Sequence, residues 1–162
     1  MLILNTGGTF NKRYNPLSGE LEVPYDNLAL EKILANFTYD VQTAGLIYKD
    51  SLDMDADDRK MMAKIIAASE ETHFIIIHGT DTMDLSAAFL DEVLEDKVVV
   101  LTGAMVPFEV DPIEATSNLS MALGYAKSQE VPGVYICMQG SVAKHDKLVK
   151  NKTLGKFELV QG

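Results

Sequence analysis

Two short segments bring hydroxyl groups and glycine together just behind apolar runs: Thr6-Gly7-Gly8-Thr9 after residues 1–5, and His78-Gly79-Thr80-Asp81-Thr82 after residues 74–77. A threonine next to glycine presents its alcohol where a ligand can come close, and that alcohol attacks a carbonyl once a neighbouring group shares its proton. Each segment also has a plainer reading. Gly7-Gly8 suits any tight turn, and Thr80 or Asp81 suits the cap of a helix, because short oxygen-bearing side chains satisfy the free amides of a helix start. Two further segments of this kind are Asp50-Ser51-Leu52-Asp53-Met54 and Leu101-Thr102-Gly103-Ala104-Met105. Lys144, Lys147, Lys150, Lys152 and Lys156 make the last stretch basic. A lysine acts as a base near neutrality only when desolvation or other charges move it from its ordinary pKa of ~10.4; otherwise such side chains belong to a solvated loop. His78, behind an isoleucine run, reads as structural rather than as a base. His73, His78, His145 and Cys137 lack metal-ligand spacing, and neither G-x-G-x-x-G nor the Gly-Lys-Ser/Thr of a phosphate loop occurs.

A parallel sheet is what can carry four such segments to one place. Strand-like runs fall at residues 1–5, 41–48, 73–77, 97–102 and 133–138, alternating with helical patterns at 27–35, 56–69, 82–94 and 114–127. This alternation predicts an α/β fold, a single flavodoxin-like or Rossmann-like three-layer domain over residues 1–162 with a mostly parallel sheet. In the flavodoxin-like order the first strand lies beside the third, so the Thr6 to Thr9 turn and the His78 to Thr82 turn face each other at the switch point, where such sheets bind ligands. Met61, Met62, Ile65 and Ile66 share one face of the second helix, and Asp55, Asp57 and Asp58 load its first turn as helix-start residues rather than metal ligands. Residues 11–24, a long polar loop, and 141–162, a basic non-helical tail, are the candidates for mobile or site-covering segments.

The 162 residues are 47% apolar and 23% charged, enough to bury a core without disulfides. A net charge of -10 repels polyanions, so neither nucleic acid nor an anionic membrane is an expected partner. Cys137, inside Val134-Tyr135-Ile136-Cys137-Met138, reads as a small buried hydrophobe. The start, Met1-Leu2-Ile3-Leu4-Asn5, lacks a basic leader and no long apolar stretch follows, which predicts a cytoplasmic location.

In order and spacing, T-G-G-T-F, D-S-L-D-M, H-G-T-D-T-M and L-T-G-A-M together resemble the bacterial-type L-asparaginase family. The likeness covers essentially the whole chain but only the family's larger N-terminal domain; its smaller C-terminal domain is expected to be absent. What the resemblance implies is hydrolysis of L-asparagine to L-aspartate and ammonia through a threonyl ester, with no metal or organic cofactor. Thr9 corresponds to the nucleophile. Thr80, Asp81 and a lysine form the second catalytic group; Lys150 is the best match, with Lys147 and Lys152 open. Tyr14 or Tyr25 supplies the phenol that activates Thr9. Ser51 binds the substrate α-carboxylate beside Asp50 and Gly8, Asp81 binds the α-amino group, and Ala104 contributes a backbone carbonyl. Val106 stands where the family often has arginine, and Leu52 where a polar residue is usual. The family's habit of assembly implies a homodimer or a dimer of dimers. The alternatives are a noncatalytic amino-acid-binding or regulatory domain, and a glutaminase or other small-amide hydrolase.

Overall fold

A strand that is apolar at every position is stable only when both faces of its sheet are covered. The computed structural model, which describes residues 1–160, meets that demand with helices on both sides. Its elements are β1 (Leu2–Gly7), β2 (Arg13–Asn15), β3 (Glu20–Glu22), α1 (Leu28–Leu34), β4 (Gln42–Lys49), α2 (Ala56–Ala68) and β5 (His73–Ile77). They continue through α3 (Met83–Val93), β6 (Val98–Thr102), α4 (Pro112–Ser128), β7 (Gly133–Met138), β8 (Ser141–Lys144), β9 (Leu148–Asn151) and β10 (Lys156–Leu159). The main sheet has the order β4-β1-β5-β6-β7-β8, parallel except for β8, which runs antiparallel on the β7 edge. This is the three-layer, mostly parallel α/β architecture, with the first and third parallel strands adjacent. Side chains alternate between two cores: Ile75 and Ile77 of β5 face α1 and α4, whereas Phe74 and Ile76 face α2 and α3.

Local chemistry sets the helix ends. Asp55 accepts the amides of Asp57 and Asp58 while Asp58 reaches back to the Asp55 amide, a reciprocal cap that starts α2 and confirms the helix-start reading of these aspartates. Asp111 caps the Ile113 amide and Pro112 occupies the first turn, so α4 begins ahead of residue 114.

The two stretches left as loop and tail are more ordered than expected. The first contains the β2–β3 hairpin, tied down by a two-pronged pair from Arg13 to Asp26 at 2.9 and 2.6 Å. The second supplies the edge strand β8 and the β9–β10 hairpin, and Leu148 of β9 is fully buried in the core beside α2 and α3. Frequent lysines hid the short strands of the second stretch, because an edge strand or hairpin needs only part of one face covered. Gln161 and Gly162, the end of the expected tail, lie outside the described residues.

At the carboxyl ends of the parallel strands, the turns touch through glycine. A side-chain carbon on Gly8 would sit 2.5 Å from the Gly79 backbone, and one on Gly79 would sit 2.6 Å from Cβ of Ser51. One on Gly103 would fall onto the His78 carbonyl oxygen. Backbone cannot swing aside as a flexible side chain can. Gly103→Ala is therefore expected to lower stability by about 1–3 kcal/mol. Gly124→Ala, in α4 with open space around it, is expected to raise it by about 0.5–1 kcal/mol. Urea midpoints of the two variants check the contrast, and a Gly103→Ala protein as stable as wild type would refute the close-contact account.

Candidate active site

The turn that carries Thr9 is built on buried asparagine. Asn5, near the end of β1, accepts the Gly7 amide at 3.1 Å and exchanges side-chain hydrogen bonds with Asn11 at 2.9 and 3.1 Å, while Asn11 also donates to the Gly7 carbonyl at 2.7 Å. Thr6 is fully buried and donates its hydroxyl to the Ile77 carbonyl at 2.7 Å, which locks β1 to β5. Its alcohol is thereby committed to structure. Thr9 instead opens a single 3-10 turn and is half-buried. Gly8 lies just ahead of it at φ 75°, a backbone region open mainly to glycine, and its amide donates to the Lys49 carbonyl at 2.9 Å. What Gly8 offers a ligand is close approach, not its amide.

Lys150 makes a long-range contact to the turn after β5. Its ammonium donates to Thr80 Oγ1 at 2.8 Å and to Asp81 Oδ1 at 2.7 Å, joining β9 to the turn after β5. Thr80 is buried, and the Lys150 side chain is only 12% exposed. Lys147 instead pairs with Asp146 at the surface, and Lys152 is exposed. Thr80 and Asp81 do not cap α3; Thr82 occupies that position, and its hydroxyl donates to the Ser51 carbonyl at 2.8 Å.

Ser51 lies in a short 3-10 turn whose cap is Asp50. Asp50 accepts the Leu52 amide and pairs with Lys12 at 2.6 Å. Partial burial acts to raise the Asp50 pKa, but the Lys12 hydrogen bond and the local amides outweigh it and hold the carboxyl below its ordinary range. Asp50 therefore positions Ser51. The Ser51 hydroxyl itself is buried and has no partner among the described residues. An orphaned buried hydroxyl is costly, and Glu114 Oε1 on α4 is a second buried side-chain atom without a partner among the described residues.

Ala104 is buried in the turn after β6, and α4 fastens that turn. Glu114 accepts the Met105 and Val106 amides, both at 3.0 Å, and Asn118 donates to the Gly103 carbonyl at 2.9 Å while accepting the Gln139 amide at 3.0 Å. Sequence reasoning passed over these two residues, as it did Asn5 and Asn11. Their signal was present: polar side chains one helical turn apart, bracketing the buried Ala115 and followed by Leu119 and Ala122 on the apolar face of α4.

The tyrosines are less tightly placed. Tyr14 is 59% exposed on β2, held through its amide to Glu109 at 2.9 Å, and Tyr25 is 87% exposed with its ring edge-on to Tyr48 at 5.6 Å. A cavity of about 220 Å³ opens between Asn11, Lys12, Arg13, Leu28, Lys32 and Phe108. Thr9, Ser51 and Thr80 are not in its wall, so the hydroxyls of the site lie outside it. Cys137 is buried, and burial pushes its thiol up to about 12, in keeping with a small hydrophobe.

The chain matches the family described as Asparaginase, N-terminal, over residues 1–157. It is 26% identical over 160 residues to the L-asparaginase of Thermococcus kodakarensis, covering 96% of this chain and 48% of that protein. The solved structure of the same relative has a TM-score of 0.83 at 24% identity, covering 98% of this chain and 50% of that chain. L-asparaginase 1 of Escherichia coli (strain K12) is 30% identical over 159 residues, 90% of this chain and 45% of the relative. A probable cytoplasmic L-asparaginase from Campylobacter jejuni has a TM-score of 0.80 at 25% identity, over 98% of this chain and 52% of that one. The chain thus spans about half the length of the curated relatives it matches. No helix among the described residues is long and apolar enough to cross a membrane.

His78 links the site to pH. It is completely buried, donates from Nδ1 to the Gly79 carbonyl at 2.7 Å and accepts at Nε2 from Ser86 at 2.8 Å. Burial pushes its pKa from 6.5 down to about 4, opposed by the Gly79 hydrogen bond and assisted by the Arg59 charge. Between these values the unfolded chain binds a proton that the folded chain refuses. Stability present in full above pH 6.5 is therefore lost as pH falls toward 4, by about 3 kcal/mol in total. Urea unfolding from pH 7 to pH 4 is expected to show that slope in wild type and a slope smaller by one proton in His78→Gln. Equal slopes would assign the acid sensitivity to other groups.

Proposed function

This chain belongs to the asparaginase family, and on that premise we propose that it is an L-asparagine amidohydrolase, releasing ammonia and L-aspartate through an ester to Thr9. The observation that carries the reading is the Lys150 ammonium between Thr80 and Asp81, within 2.8 Å of both. A structural lysine has no need of a buried threonine and an aspartate at the ligand-binding edge of a parallel sheet, whereas amide hydrolysis needs a polarised hydroxyl beside a nucleophile.

In the proposed cycle, Thr9 Oγ attacks the side-chain amide carbon. Its proton passes by way of the Tyr14 phenol to the departing nitrogen, which leaves as ammonia. Water then cleaves the β-aspartyl ester, oriented by Thr80 under the influence of Lys150, and a proton returns to Thr9. Ser51 donates its otherwise orphaned hydroxyl to the substrate α-carboxylate. Asp81, with one oxygen on Lys150, accepts from the α-ammonium with the other. Gly8 gives the substrate room, Asp50 holds the Ser51 turn, and Ala104 faces the scissile amide with its carbonyl. No step calls for a metal or organic cofactor. A cytoplasmic homodimer or dimer of dimers completes the proposal, supported by the exposed Val106, Val110 and Ile113 on the stretch after Ala104.

Thr9→Ala and Lys150→Met are each expected to lower ammonia release from asparagine by more than about a hundredfold while leaving urea midpoints near wild type. Full activity in either purified variant removes that residue from its role. Glutamine turned over as well as asparagine would widen the substrate class to small amides.

Binding of L-aspartate, followed by calorimetry, gives a separate check. Asp81→Ala is expected to weaken it by about 2–4 kcal/mol, because the ammonium loses its partner in a partly desolvated site. Thr9→Ala is expected to bind as wild type does. An Asp81→Ala protein with unchanged affinity would move the α-amino contact elsewhere.

A further inference from the structure

Helix α2 carries no residue with a role in the proposed chemistry, yet one of its side chains reaches both halves of the site from behind. Arg59 donates from Nε to Ser86 Oγ at 3.0 Å and from Nη2 to Thr82 Oγ1 at 3.3 Å, and its Nη1 holds the Asp55 carbonyl at 3.1 Å. Arginine has no acceptor, so both hydroxyls must accept from it and turn their own protons outward. Each hydroxyl has one proton, and each spends it on a different arm of the site. Thr82 donates to the Ser51 carbonyl at 2.8 Å. Ser86 donates to His78 Nε2 at 2.8 Å, and His78 Nδ1 donates in turn to the carbonyl of Gly79, the residue before Thr80, at 2.7 Å.

The direction of these bonds follows from chemistry. A carbonyl can only accept, so the Gly79 contact places the His78 proton on Nδ1 and leaves Nε2 as the acceptor. Only a Ser86 proton can satisfy it, and that proton is available because Arg59 occupies the other side of the hydroxyl. Two polarised chains therefore begin at one guanidinium and end on the carbonyls of Ser51 and Gly79, and hydrogen bonds in a chain strengthen one another.

We propose that Arg59 is a positioning residue of this site: through Thr82 it sets the Ser51 turn, and through Ser86 and His78 it sets the Gly79-Thr80 turn. The assignment rests on the reading of Ser51 as substrate-binding and Thr80 as catalytic. Arg59 touches neither substrate nor the reacting atoms. Its effect on catalysis is the spacing between the hydroxyl that grips the substrate and the hydroxyl that orients water, a spacing to which reaction rates are steeply sensitive.

The two arms make the proposal separable from simple stabilisation. Thr82→Val cuts only the Ser51 arm and is expected to raise KM for asparagine about tenfold, with a much smaller effect on kcat. Ser86→Ala cuts only the Thr80 arm and is expected to lower kcat about tenfold, with a much smaller effect on KM. Arg59→Met is expected to combine both changes, measured on protein shown to be folded by its urea midpoint. If Arg59→Met does not fold, the two single-arm variants decide. A purely structural Arg59 would lower stability while leaving both constants of the folded protein at wild-type values, and that result, or the same constant changing in both single-arm variants, overturns the proposal. Wild-type protein that neither releases ammonia from asparagine nor binds aspartate overturns the functional reading and this inference with it. Active wild type with unsplit variants overturns the Arg59 assignment alone.

Discussion

Close backbone contact at the carboxyl edge of the sheet is the constraint on which the site depends. Adjacent parallel strands are held within about 5 Å of each other, so the turns that leave them compete for the same small volume. Here the competition is resolved by omitting side chains: Gly8 lies on Gly79, Gly79 lies on Ser51, and Gly103 lies on the His78 carbonyl. Four turns that would otherwise splay apart are thereby stacked, and Thr9, Ser51 and Thr80 inherit their proximity from that stack. The register of β1 against β4 and β5 supplies the rest, since it brings Gly7 level with Lys49 and Asn5 level with Ile77.

Stacked backbone leaves polar groups that water cannot reach, and most of the buried polar side chains around the site exist to satisfy them. Asn5 and Asn11 tie the first turn, Thr6 ties β1 to β5, and Asn118 with Glu114 ties the turn after β6. Against this background, two buried side-chain atoms among the described residues are left without a partner, the Ser51 hydroxyl and the second carboxylate oxygen of Glu114. The edge is cross-linked by side-chain hydrogen bonds wherever turns meet, and those two atoms are the exceptions.

Charge is arranged in the same way. The chain is acidic overall, yet lysines reach the edge from two directions, Lys12 to Asp50 and Lys150 to Asp81. Each pair joins a turn after a parallel strand to a segment that follows elsewhere in the chain. Partial burial keeps such pairs from being screened as exposed ones are. The β9–β10 hairpin matters for this reason: Leu148 anchors it in the core, and Lys150, two residues on along the same strand, is delivered to Thr80.

Sequence alone determined the parallel strands, the helices between them and the turns that carry Thr9, Ser51, Thr80 and Ala104, because apolar periodicity and turn chemistry are local properties that survive without knowledge of the fold. The isoleucine run before His78 also favoured a structural role for it over that of a base. Tertiary structure decided everything that depends on which distant segments meet. Taken alone, Thr80 and Asp81 read more readily as helix caps than as site residues; in the fold Thr82 takes the cap position and Lys150, 70 residues from Thr80, holds both. Spacing favoured Lys150 but left Lys147 and Lys152 open, since a lysine's partners and burial are set by the fold and not by its neighbours in the chain. Arg59 looked like any charged residue on an amphipathic helix. Its meaning came only when α2 and α3 packed together and turned two hydroxyls toward the site, because a hydrogen-bond chain that crosses elements leaves no periodic trace in any one of them.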